Sequence, residues 1–366
     1  MDFTPTEEQE AARDLAARIF GDLATHERLA AAGTGSDAEL WKALCAAGLP
    51  GAVEETGLLG LVLLLEEQGR RTAQVPLAAT CVYGILAVAR HGTEEQRARL
   101  LPGLRDGTTV VTGAFPGTGG VVAHEGRLGG AVEWVPWLRD ATHVLVADAE
   151  RGLWLVRTED AARIEPVELT APWSAGRLVL DDTAAERLGT GSGSGPGAGS
   201  GSGSSTGSDA AGPGFDAYAD VLVAARVAFA GLQAGVCAGS LARAVEYTSV
   251  REQFGRPLAT HQAVQLRAAD AYMDTEAIRV TAYEAAWRHD EGLDAAEAAL
   301  TAAWWASEAG KRVVHTGQHL HGGMGADLDH PVHRHFLWGR QLDAYLGCGT
   351  ELLAELGDLL AKGDPS

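Results

Sequence analysis

Two arginines and one aromatic residue stand close together at the turn of a helical hairpin in the C-terminal half of the chain. Arg251, Phe254, Gly255, Arg256 and Pro257 interrupt an apolar helical pattern that resumes near residue 260. Guanidinium groups present planar donors that match phosphate oxygens, and a glycine lets the backbone approach a ligand closely. These residue types at this spacing indicate either a site for a phosphate-bearing ligand or a tight turn with solvated arginines.

The wider sequence favours the ligand site, because two separated motifs occur in the same order as in a known family. Residues 251–262, R-E-Q-F-G-R-P-L-A-T-H-Q, resemble the R-x-x-F-G signature of the acyl-CoA dehydrogenases. Residues 319–325, H-L-H-G-G-M-G, resemble their Q-x-H-G-G-x-G segment. In that family both motifs contact the ADP part of an FAD bound to a neighbouring subunit. The resemblance implies FAD as the cofactor, contacted by Arg251, Gln253, Phe254, Gly255, His319, Gly322 and Gly323.

The resemblance also locates the positions of the catalytic base, and neither of them is acidic here. Acyl-CoA dehydrogenation needs a carboxylate, usually Glu, that takes the α proton of the thioester. In the commonest branch this Glu lies in an E-G-T segment, which is C-G-T at Cys348 here, and in a second branch it lies at the position of Ala225. No catalytic residue is therefore assigned. Glu351, one turn from the first position, remains an alternative base, and Cys348 remains either a weak base or a packing residue.

A row of histidines near the C-terminus raises the alternative of a metal site. His315 and His319 are four residues apart on a predicted helix, and further histidines follow at positions 321, 330, 333 and 335. The segment lacks H-E-x-x-H, and it resembles a family variant of H-G-G-x-G-x-T-x-E-x-x-x-H. We therefore expect no metal ion.

Composition and charge exclude several classes of partner. A formal net charge of −20 predicts repulsion from nucleic-acid phosphates and from anionic membranes. The sequence shows no secretory leader pattern at Met1, and no apolar run approaches the ~20 residues that a bilayer requires. The four cysteines, at positions 45, 81, 237 and 348, are too widely spaced for a C-x-x-C motif. These features predict a cytoplasmic protein without disulfides and without nucleic-acid or membrane partners.

Three folded regions must position these residues, and the first is predicted to be helical. Residues 1–106 show helical periodicity, and the pattern Thr4-Pro5-Thr6-Glu7 predicts a first helix capped by Thr4. Further helices are predicted at 37–47, 58–71, 77–91 and 93–105. By resemblance this region is the helical N-terminal domain of the family.

A small β-domain is predicted at residues 107–188, where the period of the apolar residues changes from 3.6 to 2. The predicted strands cover 108–112, 132–135, 142–147, 153–156 and 177–180. In the family this domain packs the flavin ring with a T-E-P-x-A-G-S-D loop and a W-I-T/S strand. The matching stretches here are V-T-G-A-F-P-G-T-G-G, 111–120, and W-V-P, 134–136. Since proline supplies neither a hydroxyl nor a backbone donor, this departure argues against a flavin-ring pocket in this chain.

A linker and a helical bundle complete the chain. Eleven glycines and seven serines occur in residues 189–214, so this stretch is predicted to be a flexible tether. Residues 215–366 contain four long apolar-periodic segments, 216–250, 260–290, 294–320 and 331–360. The first is rich in Ala, Val and Gly, so its backbone is expected to pack close to neighbouring helices and, by resemblance, to lie in the core of a tetramer. The prediction is a multidomain α+β protein with the acyl-CoA dehydrogenase fold: helical domain, central β-barrel or sandwich, and C-terminal four-helix bundle.

The features that the chain keeps and those that it lacks together imply a role in a heteromer. It carries the motifs for the ADP end of a neighbour's flavin and lacks the groups that would hold the ring and take the proton. The resemblance implies the β subunit of an α2β2 acyl-CoA dehydrogenase for a steroid side-chain CoA. Its partners would be a homologous catalytic subunit, an acyl-CoA substrate and an electron-transfer flavoprotein. Two alternatives stay open: a self-sufficient flavoenzyme with an atypical base such as Glu351, and a flavin-free scaffold.

Overall fold

A computed structural model describes residues 2–115, 120–189 and 216–363 of the 366-residue chain. The first region is helical, as predicted, because its apolar residues recur at helical spacing and bury one face of each helix. Almost all of the predicted tether lies outside the described residues. The helices are α1 (Glu7–Leu23), α2 (His26–Ala32), α3 (Ala38–Ala46), α4 (Leu49–Arg71), α5 (Leu77–Ala79), α6 (Ala87–His91) and α7 (Glu94–Asp106), with a π-helical segment at Thr80–Leu86.

Local capping decides where α1 begins. Thr6, not Thr4, is its N-cap: the Gln9 N–H donates to the Thr6 hydroxyl, and the Thr6 N–H donates to the Gln9 side-chain oxygen. The prediction of Thr4 was wrong because a second threonine, two residues later, offers the same cap with a glutamine at the third helical position. The short helix α2 was not predicted.

Two four-stranded sheets form a β-sandwich next in the chain. One sheet has the order β1 (Val111–Ala114), β4 (His143–Ala147), β5 (Leu153–Arg157), β8 (Glu186–Arg187), with a parallel β1–β4 pair. The other has the antiparallel order β2 (Val121–His124), β3 (Arg127–Val135), β7 (Gly176–Ala184), β6 (Arg163–Pro166). Buried valines and leucines of both sheets share one core.

Strand prediction failed at three edges of these sheets. β2, β6 and β8 were not predicted, and all three are edge strands. Edge strands are short and carry polar residues on solvent-facing positions, so they give little period-2 signal. The other five strands are found, although the first begins at Val111 rather than residue 108 because Asp106 accepts the Thr108 N–H in a turn.

The C-terminal region is a helical bundle. Its helices are α8 (Ala217–Val250), α9 (Gln262–Asp290), α10 (Ala296–Leu320), α11 (Pro331–Tyr345) and α12 (Gly349–Gly363). The single helix predicted at 331–360 is in fact two, because the chain leaves the helix at residues 346–348 and Gly347 adopts φ 112°. This break places the C-G-T segment at the start of α12.

Glycines let α8 pack against α4 at backbone contact, as the composition of α8 predicted. Gly231, Gly235 and Gly239 follow one another at four-residue intervals on the face of α8 that meets α4. A Cβ at Gly235 would lie 2.7 Å from the Cα of Glu66, and one at Gly69 would lie 2.7 Å from the backbone nitrogen of Val236. The two helices therefore approach each other as closely as backbones allow.

α8 is also long and apolar enough to cross a membrane by length and composition, and the bent pair α3 and α4 passes the same test when taken together. The expectation that no segment reaches this length is therefore wrong. Because 89% of the most apolar window of α8 is buried inside the fold, its apolar character is explained by its position in the core.

A carboxylate ties the N-terminal helices to the bundle. Gly57 adopts φ 71° and breaks α4, so a second helical stretch starts at Leu58, where the sequence had placed the whole helix. The side chain of Asp290, at the end of α9, accepts the N–H groups of Leu58 and Leu59 at 2.8 and 2.9 Å. A carboxylate at a helix N-terminus satisfies unpaired donors and interacts favourably with the helix dipole.

Candidate functional site

The R-x-x-F-G segment forms a β-hairpin that projects from the end of α8. β9 (Glu252–Gln253) pairs antiparallel with β10 (Arg256–Pro257), and the turn residues Phe254 and Gly255 have φ 57° and 80°. Positive φ at both turn positions is the geometry of a tight two-residue hairpin, but it is unusual for a bulky residue such as Phe254. The Phe254 side chain is 90% exposed. An aromatic group held in this conformation in water is available to a ligand or another chain.

Arg251 stands at the base of this hairpin with its side chain available. Its backbone is fixed, since its N–H donates to the Tyr247 carbonyl and its own carbonyl accepts the Leu258 N–H. The exposed guanidinium makes no ion pair or hydrogen bond with any part of the chain that the structure describes. Arg256 differs, because its Nη2 lies 3.2 Å from His261 Nδ1.

The second motif meets the first through a pair of stacked rings. His321 lies on Tyr247, one turn before the hairpin, with ring centroids 4.9 Å apart. Its Nδ1 donates to the Gly317 carbonyl at 2.7 Å, which fixes the ring. The structure therefore brings the two motifs together at one edge of the bundle, although Tyr247 and His321 are 74 positions apart in the sequence.

The remaining residues predicted to contact the cofactor line the open side of this edge. His319 is exposed on the last turn of α10, and Gly322 and Gly323 are exposed just after it. A Cβ at either glycine would meet nothing within 4 Å, so ligand atoms could approach the backbone here. Gln253 is exposed on the hairpin itself.

The two positions predicted for the catalytic base, Ala225 and Cys348, lie away from this edge of the bundle. Neither of them holds an acidic residue. Ala225 is fully buried in the middle of α8. Cys348 precedes α12, and its backbone N–H donates to the Glu351 carboxylate at 2.9 Å. Glu351 is exposed, and this hydrogen bond lowers the pKa of its carboxyl group. Glu351 thus caps α12, and a lowered pKa makes it a weaker base.

A cluster of aromatic side chains fills the space between the β-sandwich and the bundle. At its centre the hydroxyl oxygens of Tyr83 and Tyr345 lie 2.9 Å apart. Both rings are buried, and burial raises the pKa of both phenols. Ring contacts at centroid distances of 4.6 to 6.0 Å extend the cluster to Phe115, Tyr218, Phe229, Trp134 and Trp173.

Two members of this aromatic cluster lie in the stretches that resemble the family's flavin-ring segments. Trp134 belongs to the W-V-P stretch and Phe115 to the stretch that replaces T-E-P-x-A-G-S-D. Tyr345 lies three residues before Cys348. Sequence reasoning did not identify the cluster, because Tyr83 and Tyr345 are 262 residues apart and each is an ordinary core aromatic on its own helix.

Most histidines of the C-terminal region have separate partners, although His321 and His330 lie with ring centroids 5.0 Å apart. His335 is buried, its Nε2 lies 3.0 Å from the Arg70 carbonyl, and burial lowers its pKa to about 4. His315 packs edge-on against Phe336. Within the described ranges, no group of three or more His, Cys, Asp or Glu side chains is arranged to hold a metal ion.

A cavity of about 480 Å³ lies beside the N-terminal turns of α8, between α4, α6 and the end of α9. On its wall Asp220 accepts from His91 Nε2 at 2.7 Å and lies 3.3 Å from His289 Nε2. Burial of Asp220 and His289 opposes the charge on each of these two side chains. The His289 and His91 hydrogen bonds nevertheless hold the pKa of Asp220 well below its usual range, and Asp220 raises the pKa of His289.

This network predicts a pH-dependent contribution to stability. Folding raises the pKa of His289. Its contribution to the free energy of unfolding is therefore complete when the pH is below the usual histidine pKa of 6.5, and it is lost as the pH rises through the pKa of the folded state. The unfolding free-energy difference between the parent and His289→Gln is therefore expected to shrink from pH 5 to pH 8 in urea titrations. Asp220 contributes above its usual value of 3.8 and loses that contribution only as pH falls through its lowered folded pKa.

A second histidine provides a control of opposite sign. Burial lowers the pKa of His143, so its contribution is present at high pH and falls as pH drops below 6.5. The difference between the parent and His143→Gln should grow from pH 5 to pH 8. If the two differences change in the same direction with pH, at least one of the two assignments is refuted.

Comparison with known proteins agrees with this architecture. The family profile described as acyl-CoA dehydrogenase, N-terminal domain, matches residues 6–108, and that described as acyl-CoA dehydrogenase, C-terminal domain, matches residues 212–354. Acyl-CoA dehydrogenase FadE27 of Mycobacterium tuberculosis is 33% identical over 99% of both chains.

Two solved structures extend the comparison. A variant of the Tcur3481–Tcur3483 steroid ACAD is 41% identical, with a TM-score of 0.87 over 98% of this chain and 99% of that one. The ChsE4–ChsE5 complex from Mycobacterium tuberculosis is 31% identical, with a TM-score of 0.86 over the full length of both chains.

The chain combines a helical domain, a β-sandwich and a helical bundle, and its two motifs meet at Tyr247 and His321. This arrangement defines an oxidoreductase fold of the acyl-CoA dehydrogenase type. The chain belongs to the acyl-CoA dehydrogenase family.

Proposed function

We propose that this chain is the non-catalytic subunit of a heteromeric, FAD-dependent acyl-CoA dehydrogenase that acts on a steroid side-chain CoA thioester in the cytoplasm. The proposal rests on one contrast: the residues assigned to the ADP end of the cofactor are exposed, whereas Phe115 and Trp134, from the stretches that resemble the family's ring-binding segments, pack in the aromatic cluster. A homologous catalytic subunit would complete an α2β2 assembly, and an electron-transfer flavoprotein would take the electrons. The steroid substrate is inferred from the Tcur3481–Tcur3483 steroid ACAD.

The distance along α8 supports the assignment of Ala225 and Arg251 to the sites of two different flavins. Ala225 and Arg251 are 26 residues apart along α8 and its C-cap, which corresponds to about 39 Å at 1.5 Å per helical residue. This separation is longer than one dinucleotide. Arg251 and the Gly322–Gly323 loop therefore suit a cofactor whose ring lies in the partner subunit.

The residues of this chain fit part of FAD and not the rest. Arg251 would donate to the diphosphate, Phe254 would pack on the nucleotide, and the backbone at Gly322 and Gly323 would lie against it. Bound FAD would accept the β hydrogen of the thioester as hydride, and a glutamate of the partner would take the α proton. No side chain of this chain is assigned to the proton transfer, because Ala225 and Cys348 stand at the two family positions.

The Arg251 contact predicts a measurable loss of cofactor. In the complex with the co-expressed homologous subunit, Arg251→Ala removes a charge-assisted hydrogen bond of about 1.5–3 kcal/mol and should weaken FAD binding by about 10- to 100-fold. The flavin-to-protein ratio after dialysis, read from visible absorbance, measures this loss. Arg163→Ala, which removes an exposed arginine of the β-sandwich, is the matched control and should retain its flavin. Equal flavin content in the parent and Arg251→Ala would refute the contact.

The self-sufficient enzyme with Glu351 as base is the second reading, and it makes a different prediction. Glu351→Gln would then abolish turnover, whereas in the proposed heteromer the variant loses only a helix cap worth about 1 kcal/mol and retains the rate of the complex. Steady-state turnover with a steroid side-chain CoA separates the two readings. A yellow and active protein obtained from this chain alone would also favour the second reading, and a colourless chain in a stable complex would favour the flavin-free scaffold.

A further inference from the structure

The cavity between α4, α6, α8 and the end of α9 is rich in acidic side chains. It has a volume of about 480 Å³, within the usual range of small-molecule sites of about 300–1,000 Å³. Its wall includes only two basic side chains, Arg90 and His289. We call it the acidic cavity after the four acids that line it: Glu54, Glu55, Asp220 and Asp290.

The carboxylates of the acidic cavity are not fully neutralised by this chain. Glu54 accepts from Arg105 Nε at 2.6 Å, and Asp220 is held by one arginine and two histidines. Asp290 accepts only backbone N–H groups of α4 at hydrogen-bond distance, which leave its charge in place. Glu55 is exposed and forms no ion pair or hydrogen bond within residues 2–115, 120–189 and 216–363. The cavity therefore has a negative potential that favours a cation.

A buried nitrogen on the same wall has no partner. The side chain of His289 is 6% exposed, and its Nδ1 is buried without a hydrogen bond. Asp290 Oδ1 lies 3.6 Å from it, beyond hydrogen-bond distance. The other ring nitrogen, Nε2, lies 3.3 Å from Asp220 Oδ1 and 3.1 Å from Arg90 Nη1. The Asp220 carboxylate favours a proton on Nε2, which leaves a lone pair on Nδ1 of the neutral ring. A donor in the cavity would satisfy this nitrogen.

We propose that the acidic cavity binds a small organic cation, namely an ammonium group that carries a short hydrocarbon chain. The ammonium would donate to His289 Nδ1 beside the Asp290 carboxylate, and Glu55 would add to the attraction. The hydrocarbon would pack on the apolar side chains of the cavity: Val53, Val82, Leu86, Ala87, Val221 and Ala224. The site is separate from the two cofactor motifs and does not depend on the proposed function.

Two other classes of ligand fit the acidic cavity less well. An anion would be repelled by the carboxylates of the wall. A metal ion needs several grouped ligands, and no group of three or more His, Cys, Asp or Glu side chains in the described part of the chain is arranged to hold one. The combination of charge, one buried acceptor and an apolar surface favours the organic cation.

A ligand-observed NMR titration of the full-length protein with n-butylammonium chloride tests the site. At pH 8 the ligand is charged and fewer His289 rings carry a proton than at neutral pH. We expect a Kd of about 1 mM at constant ionic strength, which a ligand of this size can reach. 1-Butanol and sodium butyrate should bind at least about tenfold more weakly, because the first lacks the charge and the second reverses it. Equal affinity for 1-butanol, or no binding of butylammonium, would refute the proposal.

Variants of the wall locate the bound cation. Ala89→Phe places a ring in the cavity without changing its charge and should abolish binding. His289→Gln keeps an amide near the Nε2 position and lacks Nδ1, so it should weaken binding about tenfold or more. His289→Asn, whose amide reaches the Nδ1 position, should recover part of that loss. A purely structural histidine would give the same affinity in both variants.

An exposed glutamate provides a test that does not disturb the core. Glu55→Gln should fold as the parent does and bind butylammonium about 2- to 5-fold more weakly, as expected for one exposed charge. Glu168→Gln, at an exposed position of the β-sandwich domain, is the matched control and should retain the affinity of the parent. Parent-like affinity in both Glu55→Gln and His289→Gln would place the cation elsewhere and refute the site. The proposed function is judged independently, by the flavin content of the complex.

Discussion

Gly235→Val is expected to prevent folding under conditions in which the parent is stable. Any Cβ at this position would overlap the carbonyl group and Cα of Glu66, because α8 and α4 touch there through their backbones. Valine adds two methyl groups to that overlap, so the two helices must separate and expose a large part of the shared core. Overpacking of a rigid site costs about 3 kcal/mol or more, a large fraction of a typical stability of roughly 5–15 kcal/mol.

Urea unfolding monitored by circular dichroism measures the effect of Gly235→Val, with soluble yield as a second readout. Gly357→Ala is the matched control, because a Cβ at that helical glycine of α12 meets nothing within 4 Å. It should be neutral or raise stability by up to about 1 kcal/mol, the usual helix preference of alanine over glycine. A Gly235→Val protein with the urea midpoint of the parent would show that α4 and α8 are not in backbone contact.

Arg279→Ala is expected to cost about 3–5 kcal/mol, because it leaves a buried carboxylate without its main partner. The side chain of Glu66 is only 5% exposed, and Arg279 Nε lies 3.0 Å from its Oε2. Arg70 is 3.8 Å away and remains only a weak substitute. Burial already raises the pKa of Glu66, and the charge of Arg279 limits that rise.

The loss in Arg279→Ala should depend on pH in a defined direction. Without Arg279 the pKa of Glu66 rises further above its unfolded value, so the folded state favours the protonated acid and stability falls as pH rises between the two values. Urea titrations at pH 5 and pH 8 should therefore differ in the variant more than in the parent. The double variant Glu66→Gln/Arg279→Ala, which has no stranded charge, should recover part of the loss.

An exposed ion pair provides the comparison for Arg279→Ala. Arg157→Ala breaks a pair with Asp160 in which the arginine side chain is 57% exposed, and it should cost less than about 1 kcal/mol. Similar losses in the two variants would mean that the Glu66 pair is not effectively shielded from water.

The local features of this fold could be predicted from the sequence because neighbouring residues determine them. The helical periodicity of both end regions, the period-2 strands of the central domain and the small residues of α8 each appear as a pattern within one continuous stretch of sequence. The two motifs were recognised for the same reason, since each is a short continuous segment. Errors remained even here, as with the Thr4 cap and the helix predicted to run unbroken from 331 to 360.

Features that are built from residues far apart in the chain could not be predicted from the sequence. Nothing in the sequence near Tyr83 indicates that its hydroxyl meets that of Tyr345, or that Phe115 and Trp134 complete a cluster at the expected flavin position. The same holds for the ring stack of Tyr247 on His321, which joins the two motifs, and for Glu351, whose carboxylate caps α12.

The amino-acid sequence by itself therefore determined the family, the order of the three folded regions and the absence of an acid at both base positions, because these depend on residue type and local periodicity. Only the tertiary structure decided that the two motifs meet and face outward at one edge of the bundle, and that aromatic side chains occupy the interior beside the sandwich. Those outcomes depend on how helices and sheets pack. That packing is controlled by contacts between residues that lie hundreds of positions apart in the sequence.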